Sequence, residues 1–305
     1  MCVLLRLRGE QMTKITVIGG GTMGRGITNL LVEKAYTIRL IEPDSKIREV
    51  LHGAYSEQID SRQVTIQSAL VKDMETTIVI ECVPEMSDLK KRVLTEVEKN
   101  FSSDTIILSN TSGIPISELA ESLQFKSRFL GLHFFTPADV NPIVEIICTQ
   151  FTSQSTLDDV RVLIESIDKV PITISKDMPG FIGNRLQHAM AREAISIVAE
   201  GIASAEDVDK LVEFALAPRL VIAGPLKQRD INGLDTHLNI ATYLYSSLNN
   251  SHTPSKLLKE KVEQGNLGMK TGEGFYDWKM VDQEKFMSDY KSTLLNIYQL
   301  KNEKS

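Results

Sequence analysis

The stretch KITVIGGGTMGRGITNLLVE, Lys14–Glu33, followed by TIRLIE, Thr37–Glu42, decides the fold. Ile15, Val17 and Ile18 make a short β-rich run that stops at three successive glycines. From Met23 to Glu33 the apolar residues take helical spacing, and Ile38–Ile41 is apolar enough for a second strand. Gly19, Gly21 and Gly24 give the spacing G-x-G-x-x-G, with Glu42 eighteen residues beyond Gly24 at the end of the second strand. Glycine turns occur in other α/β folds, so the pattern alone is weak. A strand entering, a helix leaving and an acid closing the next strand are the context that makes it a dinucleotide site. Gly19 then allows the tight turn, Gly21 clears a Cβ from the pyrophosphate, and Gly24 lets the helix approach the strand. A carboxylate at Glu42 accepts from a ribose 2′-hydroxyl and repels a 2′-phosphate, so the expected cofactor is NAD.

Outward from there, β-rich runs at Thr77–Cys82, Thr105–Ser109, Phe129–Leu132, Pro142–Cys148 and Pro171–Ser175 alternate with helical spacing, as in Leu89, Val93 and Val97 or Leu157, Val160 and Leu163. That alternation predicts a Rossmann-type α/β doubly wound sheet, mostly parallel and covered on both faces. Past Ile174 only helical segments are expected: a long one with Ile182, Leu186, Met190 and Ala194 on one face, then Ala205–Ala215, Leu234–Ser247, Ser255–Gln264 and Glu284–Leu300. Asp177-Met178-Pro179 reads as the start of the long helix, an acid cap followed by proline. The expected domains are therefore 12–176, binding NAD, and 177–305, an all-α C-terminal domain for substrate and dimerisation. Met1–Gln11 (MCVLLRLRGEQ) reads as an extension ahead of an initiator at Met12.

With 305 residues, 42% hydrophobic and 24% charged, the chain has a globular composition. Thirty-four Lys and Arg against forty Asp and Glu leave a net charge of −6, which gives no electrostatic reason for a nucleic-acid or anionic-membrane partner. Its three cysteines, Cys2, Cys82 and Cys148, are widely spaced and fit neither a disulfide framework nor a zinc site. His52, His188, His237 and His252 form no cluster of metal-ligand spacing, so no metal is expected. A soluble cytoplasmic protein is the resulting expectation.

Four polar residues carry candidate chemistry, each with a bland alternative. His133 follows the strand at Phe129–Leu132, where a histidine is commonly a packed core residue. Glu145 stands twelve residues on, inside the apolar run IVEII, and a carboxylate there is costly to bury without a partner. His133 is the natural partner, since a carboxylate orients an imidazole and raises its basicity. Ser112 suits either helix capping at Ile116 or a site role, and Asn184 likewise.

Six motifs in order resemble the 3-hydroxyacyl-CoA dehydrogenase family, from about Lys14 to Trp278. They are ITVIGGGTMGRGI; VIECVPE with Asp88-Leu89-Lys90-Lys91; SNTS at Ser109–Ser112; GLHFFTP with an acid twelve residues past its histidine; DMPGFIGNRL; and GMKTGEGFYDW at Gly268–Trp278. The resemblance implies an NAD-dependent oxidoreductase of lipid metabolism interconverting a 3-hydroxyacyl-CoA and a 3-oxoacyl-CoA. It makes His133 the base, Glu145 its orienting carboxylate, and Ser112 and Asn184 groups around the substrate oxygen. It also puts Thr22, Met23, Asn110, Glu85 and Lys90 among the cofactor contacts, the last two on the nicotinamide side, and implies a homodimer through the helical domain.

The chain departs from the family between Glu42 and Thr77, where members carry a helical hairpin that helps hold CoA and where only Lys46–Ala54 has helical character here. Thr136 replaces the asparagine usual after HFF, and is taken as a substrate neighbour. Ala217-Pro218-Arg219-Leu220 and Gly224-Pro225-Leu226 look closer to the gulonate, λ-crystallin and carnitine dehydrogenase branch, in which Arg219 would meet a free carboxylate; a salt bridge is its bland reading. The alternatives to an acyl-CoA substrate are thus a small 3-hydroxy acid or a non-catalytic NAD(H)-binding protein.

Overall fold

The computed structural model describes residues 13–302, so the extension expected at Met1–Gln11 lies outside the described residues. Eight strands form one sheet: β1 (Lys14–Ile18), β2 (Thr37–Ile41), β3 (Val64–Gln67), β4 (Ile78–Glu81), β5 (Ile106–Ser109), β6 (Phe129–Phe134), β7 (Ile143–Ile147) and β8 (Val170–Ile174). Their spatial order is β3-β2-β1-β4-β5-β6-β7-β8. The pairings from β3 through β6 are parallel, β6 meets β7 antiparallel, and β8 runs parallel to β7. Two rows of alternating strand residues separate two cores. Ile15, Val17, Ile38, Leu40, Ile78 and Ile80 face one side, and Ile18, Ile41, Val79, Ile107 and Phe129 the other. Burial on both faces is why these strands read as continuous apolar runs.

The connecting helices are α1 (Thr22–Glu33), α2 (Ser45–Ala54), α3 (Ser56–Asp60), α4 (Ser87–Asn100), α5 (Ile116–Ala120) and α6 (Gln154–Ser166). Asp44 starts α2 by accepting from the Lys46 and Ile47 N–H groups, and Ser153 caps α6 through the N–H of Thr156. By contrast α1 begins at Gly21 with no side-chain cap, leaving its first N–H groups for another acceptor.

The contacts divide the chain into two compact units, one ending at Asn184 and the other starting at Arg185. Helix α7 (Gly183–Ala199) begins later than the sequence signal suggests. Asp177 does not cap it: its Oδ2 accepts from the backbone N–H and the hydroxyl of Ser117, 2.7 and 2.8 Å away. The anticipated apolar face of α7 is largely open, with Ile182, Leu186 and Met190 each more than two-fifths exposed. In the second unit follow α8 (Ala205–Leu211), α9 (Ala217–Ile222), α10 (Pro225–Asn232), α11 (Leu234–Leu244), α12 (Lys256–Glu263) and α13 (Gln283–Asn302). A π-helical turn over Val212–Leu216 joins α8 to α9. Neither α9 nor α10 is among the helices expected from the sequence, and each carries a proline, Pro218 and Pro225, that interrupts the periodic signal. Both prolines sit in a first helical turn, where a missing N–H costs nothing. Strand β3 also went unread, since four residues at a sheet edge carry little periodic signal. No described helix is long and apolar enough to cross a membrane.

Candidate functional site

The glycine turn shows which of its glycines the protein itself requires. Gly19 has φ +103, and a Cβ there would lie 2.7 Å from the carbonyl oxygen of Cys82. A Cβ on Gly24 would strike the Gly19 carbonyl oxygen at 1.8 Å. A Cβ on Gly21 meets nothing within 4 Å. Internal packing therefore accounts for Gly19 and Gly24 but leaves Gly21 unexplained. A pyrophosphate against the uncapped start of α1 explains it, and the residues present fit the dinucleotide. Thr22 is exposed in that first turn, next to the half-buried Met23. Glu42 is buried, its Oε2 accepting from Gly20 N at 2.7 Å and its Oε1 from Asp44 N at 2.9 Å. One carboxylate thus ties the end of β2 to the glycine turn and keeps free lone pairs for a ribose.

The exit of β4 meets this turn and carries a chain of charges. Lys90 on α4 is buried, its Nζ 2.8 Å from Glu81 Oε1, 3.1 Å from the Val83 carbonyl and 3.4 Å from Glu85 Oε2. Glu81 is also buried and accepts from Ser109 Oγ at 2.6 Å and Val83 N at 2.7 Å. Glu85 Oε1 takes the Thr111 hydroxyl at 2.6 Å, Ser112 N at 2.9 Å, and Ser112 Oγ and Gly113 N at 3.2 Å. Burial pushes the Glu85 carboxyl up, but the Thr111 hydroxyl, the Lys90 ammonium and the Ser112 donors outweigh it and hold it below the usual carboxylate range. Ser112 does not cap α5, whose N-cap position is Pro115 and which has no side-chain cap; Thr111 Oγ1 accepts from the Gly113 and Ile114 N–H groups ahead of it. Asn110 Oδ1 accepts from Phe134 N at 3.1 Å, linking the end of β5 to β6.

His133 and Glu145 are brought together by strand register. The antiparallel β6–β7 ladder sets His133 directly opposite Glu145, so both side chains leave on one face. His133 Nδ1 lies 2.8 Å from Glu145 Oε2, and both residues are buried. The other carboxylate oxygen accepts from Ile182 N at 3.1 Å and Gly183 N at 2.9 Å, where α7 begins. Burial raises the Glu145 carboxyl, yet the His133 hydrogen bond and the Gly183 and Ile182 N–H groups more than offset it, and the group is held below its ordinary value. The ring of His133 is flanked by Phe135 at 4.6 Å and Phe181 at 5.7 Å between centroids.

Asn184 follows at once and donates its amide to the Ser112 carbonyl at 2.6 Å. His133, Glu145, the start of α7, Asn184 and Ser112 thus form one hydrogen-bonded series inside the first unit. Thr136 donates to Met23 Sδ at 3.4 Å, beside the glycine turn. Arg219 lies exposed on α9 of the second unit.

The glycine turn, Glu42 and the His133–Glu145 pair are all carried by the one sheet of the first unit. Residues 14–178 match the 3-hydroxyacyl-CoA dehydrogenase NAD-binding domain and residues 180–278 its C-terminal domain. The chain belongs to the 3-hydroxyacyl-CoA dehydrogenase family. It is an oxidoreductase of that family, and its cofactor is NAD. Among relatives, it is 32% identical to a probable 3-hydroxybutyryl-CoA dehydrogenase of Bacillus subtilis over 88% of this chain and 98% of that one. It is 31% identical to 5-formyl-3-hydroxy-2-methylpyridine 4-carboxylate 5-dehydrogenase of Mesorhizobium japonicum, over 86% and 89%. A crystal structure of an enzyme of the latter name, described as an NAD+ dependent dismutase, superposes with a TM-score of 0.85 at 26% identity, covering 96% of this chain and 99% of that one. For a 3-hydroxyacyl-CoA dehydrogenase of Archaeoglobus fulgidus the TM-score is 0.70 at 31% identity, over 94% and 99%.

Sequence reasoning missed Glu81, Thr111 and the N–H pair of Ile182 and Gly183. Glu81 had a readable signal: it is a single acid in the apolar run TIVIECV and closes β4, as Glu145 stands alone inside β7. The backbone donors had none, because nothing local says where a distant turn points its N–H groups.

Proposed function

We propose that this protein oxidises the hydroxyl of a compact hydroxy acid, with NAD as acceptor and His133 as base. The observation that carries the proposal is the buried His133–Glu145 pair at 2.8 Å. An ionised carboxylate only accepts, so it obliges Nδ1 to carry the ring proton and leaves the lone pair on Nε2. His133 Nε2 then takes the hydroxyl proton, and Glu145 stabilises the imidazolium that results. Bound NAD supplies the acceptor for the hydride leaving the substrate carbon. Asn184 spends one amide N–H on Ser112 and retains a second N–H and an oxygen with which to hold the substrate oxygen. In reverse, the imidazolium returns its proton to the ketone oxygen.

The compact substrate is favoured by what joins β2 to β3. Helix α2 passes through Tyr55 into the single turn of α3 and the chain enters β3 at Val64, with no projecting hairpin between. Similarity to a pyridine-carboxylate dehydrogenase supports the same reading. Identity to 3-hydroxybutyryl-CoA dehydrogenases at 32% favours a 3-hydroxyacyl-CoA as the second reading. NADH absorbance separates them. With NAD, hydroxy acids such as gulonate, carnitine and hydroxymethyl pyridine carboxylates are offered, and acetoacetyl-CoA with NADH. A free acid should exceed acetoacetyl-CoA in kcat/KM by about 100-fold; the opposite order overturns the compact-substrate reading.

A homodimer through the second unit is part of this proposal. On the second unit Phe214, Ile222 and Leu226 are 78%, 76% and 81% exposed, and a second copy of the chain would cover them.

A further inference from the structure

We propose that Glu81, which carries no reacting group, is a positioning residue for the NAD end of the site, acting through Lys90 and the exit of β4. The inference concerns cofactor binding and does not rest on the substrate reading above.

Expected as a cofactor contact, Lys90 instead has 1% of its side chain exposed, and its ammonium is committed to Glu81, the Val83 carbonyl and Glu85. Of its three N–H donors two go to Glu81 and the Val83 carbonyl, and Glu85 is met as an ion pair at 3.4 Å. Its influence on a bound nicotinamide therefore passes through Glu85, whose side chain is 40% exposed. Glu85 in turn fastens the loop from Thr111 to Gly113, whose Ser112 carbonyl receives the Asn184 amide.

Glu81 holds the inner end of this series. Its register partner on β5 is Ser109, which donates to one oxygen, while Lys90 and Val83 N donate to the other. The Val83 bond also fixes the turn after β4, against which the glycine turn packs. The ideal Cβ position of Gly19 lies 2.7 Å from Cys82 O and 3.3 Å from Val83 N. A carboxylate with no exposed side-chain surface thus reaches the cofactor site by two routes, one through Lys90 and Glu85 and one through the Cys82–Val83 backbone. A core ion pair needed only for stability would require neither.

The test is NADH binding by fluorescence titration of the full chain, with no substrate present, alongside thermal melts. In Glu81→Gln the amide oxygen replaces the carboxylate oxygen that faces Lys90 and Val83 N, and the amide nitrogen faces Ser109 Oγ, which accepts. Shape is kept and only the charge is lost. The Kd for NADH should rise about tenfold in Glu81→Gln and in Lys90→Met. The double variant should bind no worse than about twofold below Lys90→Met, because the two residues act in series. Glu81→Asp, which keeps the charge, should fall between wild type and Glu81→Gln, and serves if the amide variant fails to fold. Unchanged NADH binding with a lowered melting temperature would make the Glu81–Lys90–Glu85 series purely structural and overturn the proposal. Effects of the two single variants that multiply in the double variant would overturn its serial part. Absence of turnover with free acids, with this binding pattern intact, would refute the proposed function alone.

Discussion

On the proposed mechanism, replacing Glu145 by glutamine inverts the His133 tautomer on which proton removal depends. The Ile182 and Gly183 N–H groups both point at Oε1, so the amide oxygen of Gln must stay there, and its NH2 faces His133 Nδ1. Two donors cannot share that contact. Nδ1 must then accept, the ring proton moves to Nε2, and the atom needed as base is occupied. The imidazolium formed during reaction also loses its counter-charge, and a unit pair about 4 Å apart at an effective dielectric near 20 amounts to about 4 kcal/mol. That converts to a fall in kcat of about 1,000-fold, of the order expected when an amide replaces the carboxylate behind a catalytic histidine. Binding of NADH should stay within about twofold, since Glu145 does not reach the glycine turn. Steady-state rates followed at the NADH band, with fluorescence titration on the same samples, measure both. A folded Glu145→Gln retaining more than about a tenth of wild-type kcat would refute the reasoning.

Other consequences are open to direct measurement. His133→Gln should abolish turnover and leave the NADH Kd within about twofold; joint loss of both would show that His133 is structural. Gly21→Ala should leave the melting temperature unchanged because its Cβ meets nothing, yet weaken NADH binding about tenfold or more, whereas Gly24→Ala should unfold or strongly destabilise the protein. The carboxyls of Glu145 and Glu85 lie below their ordinary value of 4.5 in the folded state, so they contribute stability that is fully present above about that pH. It is lost as the pH falls through the depressed folded values. Urea midpoints should therefore be flat in this respect from pH 7 to 5 and drop below 4.5, with a shallower drop in Glu145→Gln. Sedimentation should return a dimer, and Phe214→Asp or Leu226→Asp should shift it toward monomer; a wild-type monomer at all concentrations contradicts the assembly proposed.

Much of the fold was legible because its signals are local. The glycine spacing, the acid at the end of β2 and continuous apolar strands lie within a few residues of each other, and steric limits on the backbone act at that range. Even the partnership of His133 and Glu145 could be anticipated, since a carboxylate inside an apolar strand needs a donor and the strand before it carries a histidine twelve residues back. Where signals were short or ambiguous the reading failed, as at β3, at the two proline-led helices and at Asp177, whose cap goes to Ser117 sixty residues away.

What belongs to three-dimensional packing alone is the wiring of the polar groups. Ser112 receives an amide from Asn184 across 72 residues, Ile182 and Gly183 reach back to Glu145 across 37 and 38, and Ser109 meets Glu81 across 28. Each of these bonds depends on where a loop turns and which strands are neighbours in the sheet, and periodicity carries neither. Residue types marked the candidates for binding a dinucleotide and moving a proton. Chain topology chose their partners, because a hydrogen bond is decided by a few tenths of an ångström between segments that the backbone brings together only once it is folded.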